Sequence, residues 1–174
     1  MQHENLWAPW RLAYLRRLDA RRDAVGGDAE GPVNFLADYW QHPESDEANY
    51  VIHRDDHGLI LLNRYPYANG HLLVALGEAR PTLLEYAPAA RMAFWNLVEI
   101  AIGLVTEVLA PHGANVGINQ GSAAGAGLPE HIHAHVVPRW GGDTNFMTVI
   151  GDVRVMPASL EDMAIQYRDA IAKK

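Results

Sequence analysis

The sequence predicts a single domain that contains both strands and helices, and three observations carry this prediction. Short apolar runs bounded by turn residues recur from residue 57 onward, which indicates strands. Residues 88–110 have apolar side chains at helical spacing. Three histidines near residue 133 alternate with apolar residues, which is typical of a strand with one polar face. The length of 174 residues also suits one domain.

Composition and charge argue against several classes of protein. The chain has no cysteine, which excludes disulfides, cysteine nucleophiles and thiolate zinc sites, and a cytoplasmic location is expected. The formal charge of −7 argues against a protein that binds nucleic acid polymers. Neither a signal-peptide pattern nor an apolar run of about 18 residues is present, so no membrane span is expected.

The first 50 residues are interpreted as an N-terminal arm and an acidic linker, and the core is assigned to residues 51–174. In the arm, Trp7, Trp10 and Tyr14 have the spacing of one face of a short helix. The arginines around them are either solvated or long enough to reach a polyphosphate. Residues 23–56 are predicted to be mostly irregular, with a short helical turn around Asn34–Trp40.

A hairpin is predicted between residues 57 and 76. Apolar runs cover 57–62 and 70–76, and the segment between them carries a proline and an Asn-Gly turn pair. A hairpin with a long loop would bring Asn63, which leaves the first strand, close to His71, which enters the second.

The remaining elements follow in chain order. The helix over residues 88–110 begins near a proline and is stopped by a proline and a glycine. A strand is predicted at 114–119, and short strand-like pieces follow at 148–150 and 153–156. The last helix begins at Ser159, which has an acidic residue three positions later and an apolar face beyond it.

The histidine row is the segment to which function is most readily assigned. In a strand over 131–138, His131, His133 and His135 share one face and the intervening apolar residues face the core. The residue chemistry leaves three alternatives open: catalysis, a metal site and a structural role. A loop with three glycines, at residues 120–129, directly precedes the row and could bring backbone N–H groups close to a phosphate.

These residues resemble the signature of the histidine triad (HIT) family. The resemblance rests on His131-Ile-His133-Ala-His135-Val-Val137, on Asn63 with His71 eight residues later, and on Asn119-Gln120-Gly121. Further segments, including Asn63-Arg-Tyr-Pro-Tyr67 and Gly125-Ala-Gly127, are most similar to a bacterial branch that includes diadenosine tetraphosphate phosphorylases. The resemblance covers nearly the whole chain.

The resemblance implies an α+β, HIT-like fold in one domain over residues 1–174. Its five-stranded antiparallel sheet, long helix and C-terminal helix agree with the pattern of predicted elements. The five expected strands lie at 57–62, 70–76, 114–119, 131–138 and about 147–156. Members of the family commonly dimerise so that two sheets become continuous, and a homodimer or higher homo-oligomer is therefore expected.

The resemblance also implies a reaction at an α-phosphate in which a nucleotidyl-histidine forms. His133 is then the nucleophile, His135 contacts phosphate or leaving-group oxygens, and His131 and His71 orient their neighbours. Asn63 is expected to bind the ribose. Asn119, Gln120, Gly125 and Gly127 are expected on the phosphate side.

The implied partners are a dinucleoside polyphosphate or another adenine nucleotide, together with inorganic phosphate. The reaction expected is phosphorolysis of diadenosine tetraphosphate to ATP and ADP. The alternative is hydrolysis of dinucleoside polyphosphates or nucleoside phosphoramidates, which releases AMP. Two other classes stay open: a nucleotide-sensing protein with little turnover, and a metal-binding protein that uses the histidine row.

Two departures from the family pattern bear on these expectations. Many members hold a structural zinc with a Cys-x-x-Cys pair, but the comparable stretch here is Val33-Asn-Phe-Leu36. No structural zinc and no tightly bound cofactor are expected, and Mg²⁺ is expected only as a companion of the polyphosphate. Hydrolase members have Ser or Thr three residues before the first histidine, where this chain has Leu128, and that exchange favours the phosphorylase branch.

Overall fold

The structure, a computed structural model, describes residues 34–143 and 155–173. The helices are α1 (Phe35–Gln41), α2 (Pro88–Leu109) and α3 (Leu160–Ala172). The strands are β1 (Val51–Arg54), β2 (Gly58–Leu62), β3 (Leu72–Leu76), β4 (Gly113–Ile118) and β5 (His133–Arg139). All strand pairs are antiparallel in the order β1-β2-β3-β5-β4, which confirms the predicted α+β class and five-stranded sheet.

The hairpin and both long helices were predicted correctly. β2 and β3 pair from Gly58 to Leu62, and the Asn63 N–H donates to the His71 carbonyl over 2.9 Å at the mouth of the loop. α2 ends at Ala110, which takes the left-handed conformation with φ 43°. α3 begins at Ser159, whose Oγ accepts the Asp162 N–H over 3.0 Å.

The prediction that residues 23–56 are mostly irregular was wrong for the last residues of this segment. Residues 51–54 form β1, an edge strand that pairs with β2 and has an irregular register between Val51 and His53. Its four residues are too few for an alternating pattern, and the irregularity breaks the period. The helical turn predicted around Asn34–Trp40 is α1.

Several predicted features lie outside the described residues. The aromatic and basic arm, residues 23–33 of the acidic linker and most of the strand expected at about 147–156 belong to this group. Val155 and Met156, the described part of that expected strand, are not in a strand. The assignment of residues 1–174 to one domain, divided at residue 50, stays a prediction.

The sheet has an apolar cluster on each face. On one face, Ile132, Ala134 and Val136 of the β5 segment pack with side chains of α2 and α3. On the other, Leu36 of α1 packs with apolar residues of β1, β2 and β3. α2 is long and apolar enough to cross a membrane by length and composition alone. Its buried residues belong to the first cluster, as in the core helix of a globular domain.

α3 is tied to the turn that precedes β3. The buried Tyr167 hydroxyl donates to the Gly70 carbonyl over 2.8 Å. Gly70 has φ +76°, and a Cβ at this position would lie 2.3 Å from Leu109 Cδ1 and 2.6 Å from the Tyr167 hydroxyl oxygen. Only glycine tolerates both the positive φ and the close approach of these two atoms. The turn at Gly70 places the next residue, His71, directly before β3.

Candidate active site

Four histidines come together on the sheet face opposite α2 and α3. His133 lies across from Ala75 and His135 lies across from Leu73, because β5 pairs with β3. His71 precedes β3 and His131 precedes β5. His71 and His131 are fully buried, and His133 is 7% exposed. The predicted shared face is thus confirmed, although β5 begins at His133 and leaves His131 in the preceding turn.

The ring of His133 is oriented by the backbone of its own segment. Its Nδ1 lies 2.9 Å from the carbonyl oxygen of His131. A carbonyl can only accept, so Nδ1 carries the proton and donates. In the neutral ring, Nε2 is then the unprotonated nitrogen, which is the form of imidazole that can attack an electrophile.

His71 and His135 form a directed hydrogen-bond relay. The Tyr67 backbone N–H donates to His71 Nδ1 over 3.1 Å, so this nitrogen is an acceptor. The proton of the neutral His71 ring is therefore on Nε2, which lies 3.0 Å from His135 Nδ1 and donates to it. The neutral His135 ring then carries its proton on Nε2 and can donate it to a ligand.

Burial favours the neutral form of the His133 and His135 rings. It lowers the pKa of His133, and a hydrogen bond to the His131 carbonyl opposes the shift. Burial together with the neighbouring His133 lowers the pKa of His135 to about 4. The His133 and His135 ring centroids are 5.1 Å apart, so charging one ring disfavours charging the other. The site therefore presents a neutral acceptor nitrogen beside a neutral N–H donor.

The comparisons with known proteins agree with this geometry. The model of the HIT domain matches residues 44–142. The chain is 40% identical over 161 residues to the AP-4-A phosphorylase of Mycobacterium tuberculosis, a match that spans 92% of this chain and 80% of that protein. The chain belongs to the HIT family.

Two further relatives widen the comparison. An asymmetrical bis(5′-nucleosyl)-tetraphosphatase of Schizosaccharomyces pombe is 29% identical over 89 residues, which are 51% of this chain and 48% of that protein. The crystal structure of a Zn-bound histidine triad family protein from Mycobacterium smegmatis superimposes with a TM-score of 0.62 at 28% identity. That match covers 78% of this chain and 92% of the other.

Asn63 lies beside the hydrogen-bond relay, and its predicted proximity to His71 is confirmed. Its Nδ2 is 3.3 Å from His71 Nδ1, and its Oδ1 accepts the Tyr65 N–H over 2.9 Å. A primary amide has a second N–H and a second lone pair. Both can still serve a ribose hydroxyl.

Tyr67 is a site residue that the sequence analysis did not single out. Its ring is stacked on His135, with centroids 5.7 Å apart and planes inclined by 16°, and it also touches the His71 ring at 4.8 Å. Its side chain is 53% exposed, so it forms part of the rim of the site. Its position in the loop between Asn63 and His71 was the sequence feature that could have placed it in the site.

The glycine-rich segment follows the end of β4. Ile118 pairs with Ala134, so Asn119 leaves the sheet at the end of β5 where His133 lies. Gly121 and Gly125 have φ +81° and +84°, which glycine adopts without strain, whereas Gly127 does not have a positive φ. Gln120 Oε1 accepts the Leu83 N–H over 3.1 Å, a contact that the sequence did not predict.

Leu128 and Leu36 occupy places where this chain departs from the HIT pattern. Leu128 is 3% exposed and packs in the apolar cluster of the histidine face. Leu36 is buried in the same cluster, and Asn34 Oδ1 lies 3.1 Å from His131 Nδ1. An apolar side chain at a place where the pattern has a cysteine does not fit a thiolate zinc site. Over residues 34–143 and 155–173, no group of three or more His, Cys, Asp or Glu side chains could hold a metal ion.

Proposed function

We propose that this protein transfers a nucleotidyl group from a dinucleoside polyphosphate through a nucleotidyl-histidine intermediate. The reaction proposed is phosphorolysis of diadenosine tetraphosphate to ATP and ADP. The observation that carries this proposal is the orientation of His133, whose Nδ1–H donates to the His131 carbonyl and whose Nε2 is left as the nucleophile. The 40% identity to an AP-4-A phosphorylase supports the substrate class and the phosphate acceptor.

The first step forms one bond and breaks one. His133 Nε2 attacks an α-phosphorus, the phosphorus–nitrogen bond forms, and the bond to the bridging oxygen of the β-phosphate breaks. ATP leaves, and the AMP moiety remains on His133. The His135 Nε2–H donates to the phosphate or leaving-group oxygens, where negative charge increases.

The second step regenerates the histidine. An oxygen of inorganic phosphate attacks the same phosphorus, the phosphorus–nitrogen bond breaks, and ADP leaves. If water attacks instead, the product is AMP. Leu128 supports the phosphate acceptor because a hydroxyl is absent from a place where hydrolase members have one.

The binding residues proposed are those on the rim of the histidine face. Asn63 would hold the ribose with its remaining amide donor and acceptor. Asn119, the Gln120 amide group and the backbone N–H groups around Gly125 and Gly127 would bind non-bridging oxygens. We propose no structural zinc and no tightly bound cofactor, Mg²⁺ only with the polyphosphate, and a cytoplasmic location.

The fate of the intermediate can be measured directly. Diadenosine tetraphosphate is supplied with and without inorganic phosphate, and the nucleotide products are quantified. The expected products are ATP and ADP in a phosphate-dependent reaction. AMP as the main product in both conditions would contradict phosphorolysis and favour the second candidate, a hydrolase, which the similarity to the tetraphosphatase supports.

The nucleophile has a test of its own. His133→Ala should lower the rate by about 10³-fold or more, because covalent catalysis is lost. His57→Ala, which changes an exposed histidine outside the row, is the matched control and should keep the wild-type rate. Full activity in His133→Ala would exclude the covalent mechanism. If the wild-type protein bound nucleotide without any turnover, it would be a nucleotide sensor and not an enzyme.

A homodimer is part of the proposal. Among the strands that the structure describes, β4 is at the edge of the sheet with β5 as its neighbour, and five of its six residues are exposed. An uncovered edge presents unpaired backbone groups that can pair with a second copy. Pairing of two β4 strands would join two sheets into one.

A further inference from the structure

We propose that Asn34 is a positioning residue for the histidine row and that its amide oxygen holds His131 as a buried imidazolium. Asn34 is the N-cap of α1 and is 97 positions from His131 in the chain. The kinetic part of the proposal rests on the proposed function. The protonation of His131 does not depend on it.

The orientation of the Asn34 amide is fixed by the helix that it caps. The Ala37 N–H donates to Asn34 Oδ1 over 3.0 Å. If the amide were turned over, its NH₂ group would face this N–H, and two donors would meet. The oxygen is therefore the atom that faces Ala37, and the same oxygen lies 3.1 Å from His131 Nδ1.

Both ring nitrogens of His131 consequently face oxygen acceptors. Nε2 lies 2.7 Å from the Leu76 carbonyl oxygen, which can only accept. A neutral ring has one N–H and could satisfy only one of the two oxygens. The ring is fully buried, so a neutral His131 would hold a lone pair against an oxygen without relief from bulk water. The imidazolium donates to both.

Other groups act on this ring in both directions. The pKa of His131 is lowered, chiefly by burial and also by the neighbouring His133, although the hydrogen bond to Leu76 and the nearby Glu130 raise it. The Asn34 oxygen adds a second acceptor for the charged form, and a hydrogen bond to the charged form favours it. This second acceptor opposes the lowering of the pKa only while Asn34 is held in place.

The far end of α1 is held firmly. The Arg54 guanidinium donates to the carbonyl oxygens of Tyr39 and Trp40 over 2.7 and 3.0 Å, and it pairs with Asp46. The Trp40 ring lies against Gly77, where a Cβ would come within 2.1 Å of it. α1 is therefore fastened to β1 and to the end of β3, and its N-cap is kept against His131.

The consequence for His133 is both geometric and electrostatic. The carbonyl of His131 accepts the His133 Nδ1–H, so an anchored His131 fixes the orientation of the nucleophile. A positive charge at His131 also disfavours protonation of His133 and attracts a phosphate. Asn34 would thus act on the reaction through another residue, without contact to the substrate.

Three substitutions separate the contact with His131 from the capping of α1. Asn34→Ser keeps a capping oxygen but is one atom too short to reach the ring. Asn34→Asp keeps both the cap and the contact. Asn34→Ala removes both. Ser159→Ala, which removes the cap of α3, is the control for the loss of a helix cap elsewhere.

The direct readout is ¹⁵N NMR of the histidine ring nitrogens without substrate. We expect wild-type His131 at neutral pH to be protonated on both nitrogens, and Asn34→Ser and Asn34→Ala to leave Nδ1 unprotonated. Asn34→Asp should keep both protons. An unprotonated Nδ1 in the wild-type protein would overturn the proposal, whether or not diadenosine tetraphosphate is a substrate.

The kinetic readout is phosphorolysis of diadenosine tetraphosphate. In Asn34→Ser, kcat should fall by about tenfold, as is typical when a group that orients a reacting side chain is lost. KM should change by less than about twofold, because no substrate contact is removed. Asn34→Asp should restore most of kcat, and Ser159→Ala should keep it. A wild-type kcat in Asn34→Ser would also overturn the proposal.

Discussion

At the scale of single residues, backbone groups determine which ring nitrogens of His133 and His71 carry the proton. The His131 carbonyl fixes the proton of His133, and the Tyr67 N–H fixes the acceptor nitrogen of His71. Backbone groups do not titrate, so these hydrogen-bond directions do not change with pH while the rings are neutral. Protonation of His133 or His135 themselves would disrupt them.

The lowered pKa values of His133 and His135 predict activity at unusually low pH. An ordinary histidine with pKa 6.5 would be mostly protonated at about pH 5.5, whereas His135 has a pKa of about 4 and the pKa of His133 is also lowered. Both rings therefore remain neutral, the form that the proposed reaction requires, as pH falls below 6.5. We expect the acidic limb of the kcat/KM profile, which reports the free enzyme, below about pH 6.

The stability of the fold must be followed over the same pH range. Between pH 6.5 and the folded-state pKa of His135, about 4, the unfolded chain binds more protons than the folded one, so stability falls as pH falls. Circular dichroism at each pH separates this loss from titration of the site. An acidic limb centred at 6.5 or above in a fully folded protein would contradict the neutral-ring arrangement.

The alternation of His131, His133 and His135 predicted their common face because side-chain period in a strand is a local property. The contacts that set the tautomers were not predictable in the same way. Asn34 reaches His131 across 97 positions, and the Tyr67 N–H meets His71 through the conformation of a loop. Such contacts depend on how distant segments pack, so the residue pattern within either segment does not predict them.

At the scale of elements, α3 supports the turn that carries His71. The Tyr167 hydroxyl, buried beneath the sheet, donates to the Gly70 carbonyl, and burial raises the pKa of this phenol so that it stays a donor at any moderate pH. Arg168 of the same helix donates to the carbonyl of Val51 in β1 over 2.8 Å. α3 thus joins the edge strand to the hairpin loop.

Tyr167→Phe should lower the free energy of unfolding by about 1–3 kcal/mol, because the buried Gly70 carbonyl loses its donor. Tyr65→Phe, at a position 86% exposed, is the matched control and should change stability by less than about 0.5 kcal/mol. Urea denaturation followed by fluorescence measures both. Equal stability of the two variants would mean that another group satisfies the Gly70 carbonyl.

Elements with a clear apolar pattern and recognisable turn residues were predicted from sequence, whereas strand β1 was missed. α2 and the β2–β3 hairpin follow from spacing, a proline at the helix start and an Asn-Gly turn. β1 was missed because it has four residues, an irregular register and a polar end in which Arg54 binds α1 rather than solvent. Its strand character comes from pairing with β2, which is a tertiary contact.

At the scale of the whole molecule, the two edges of the sheet differ. β1 is partly covered, since Val51 belongs to the apolar cluster of the histidine face and its carbonyl binds Arg168. β4 is exposed along five of six residues, and a Cβ at Gly113 or Gly117 would meet nothing within 4 Å. Val116 on this strand is 40% exposed. Within the described part of the chain, β4 is therefore the edge at which the proposed dimer would form.

The proposed dimer can be tested with two prolines on β4. Backbone N–H groups alternate between the two sides of an edge strand, so of Asn115 and Val116 one donates toward β5 and the other points outward. Proline removes the donor in each case. One substitution, Asn115→Pro or Val116→Pro, should give folded monomers, and the other should lower thermal stability by weakening the β4–β5 pairing.

Sedimentation equilibrium should find the wild-type protein at twice the 19.3 kDa chain mass. A wild-type mass of one chain at micromolar concentration, or two proline variants that both remain dimeric, would rule out pairing through β4.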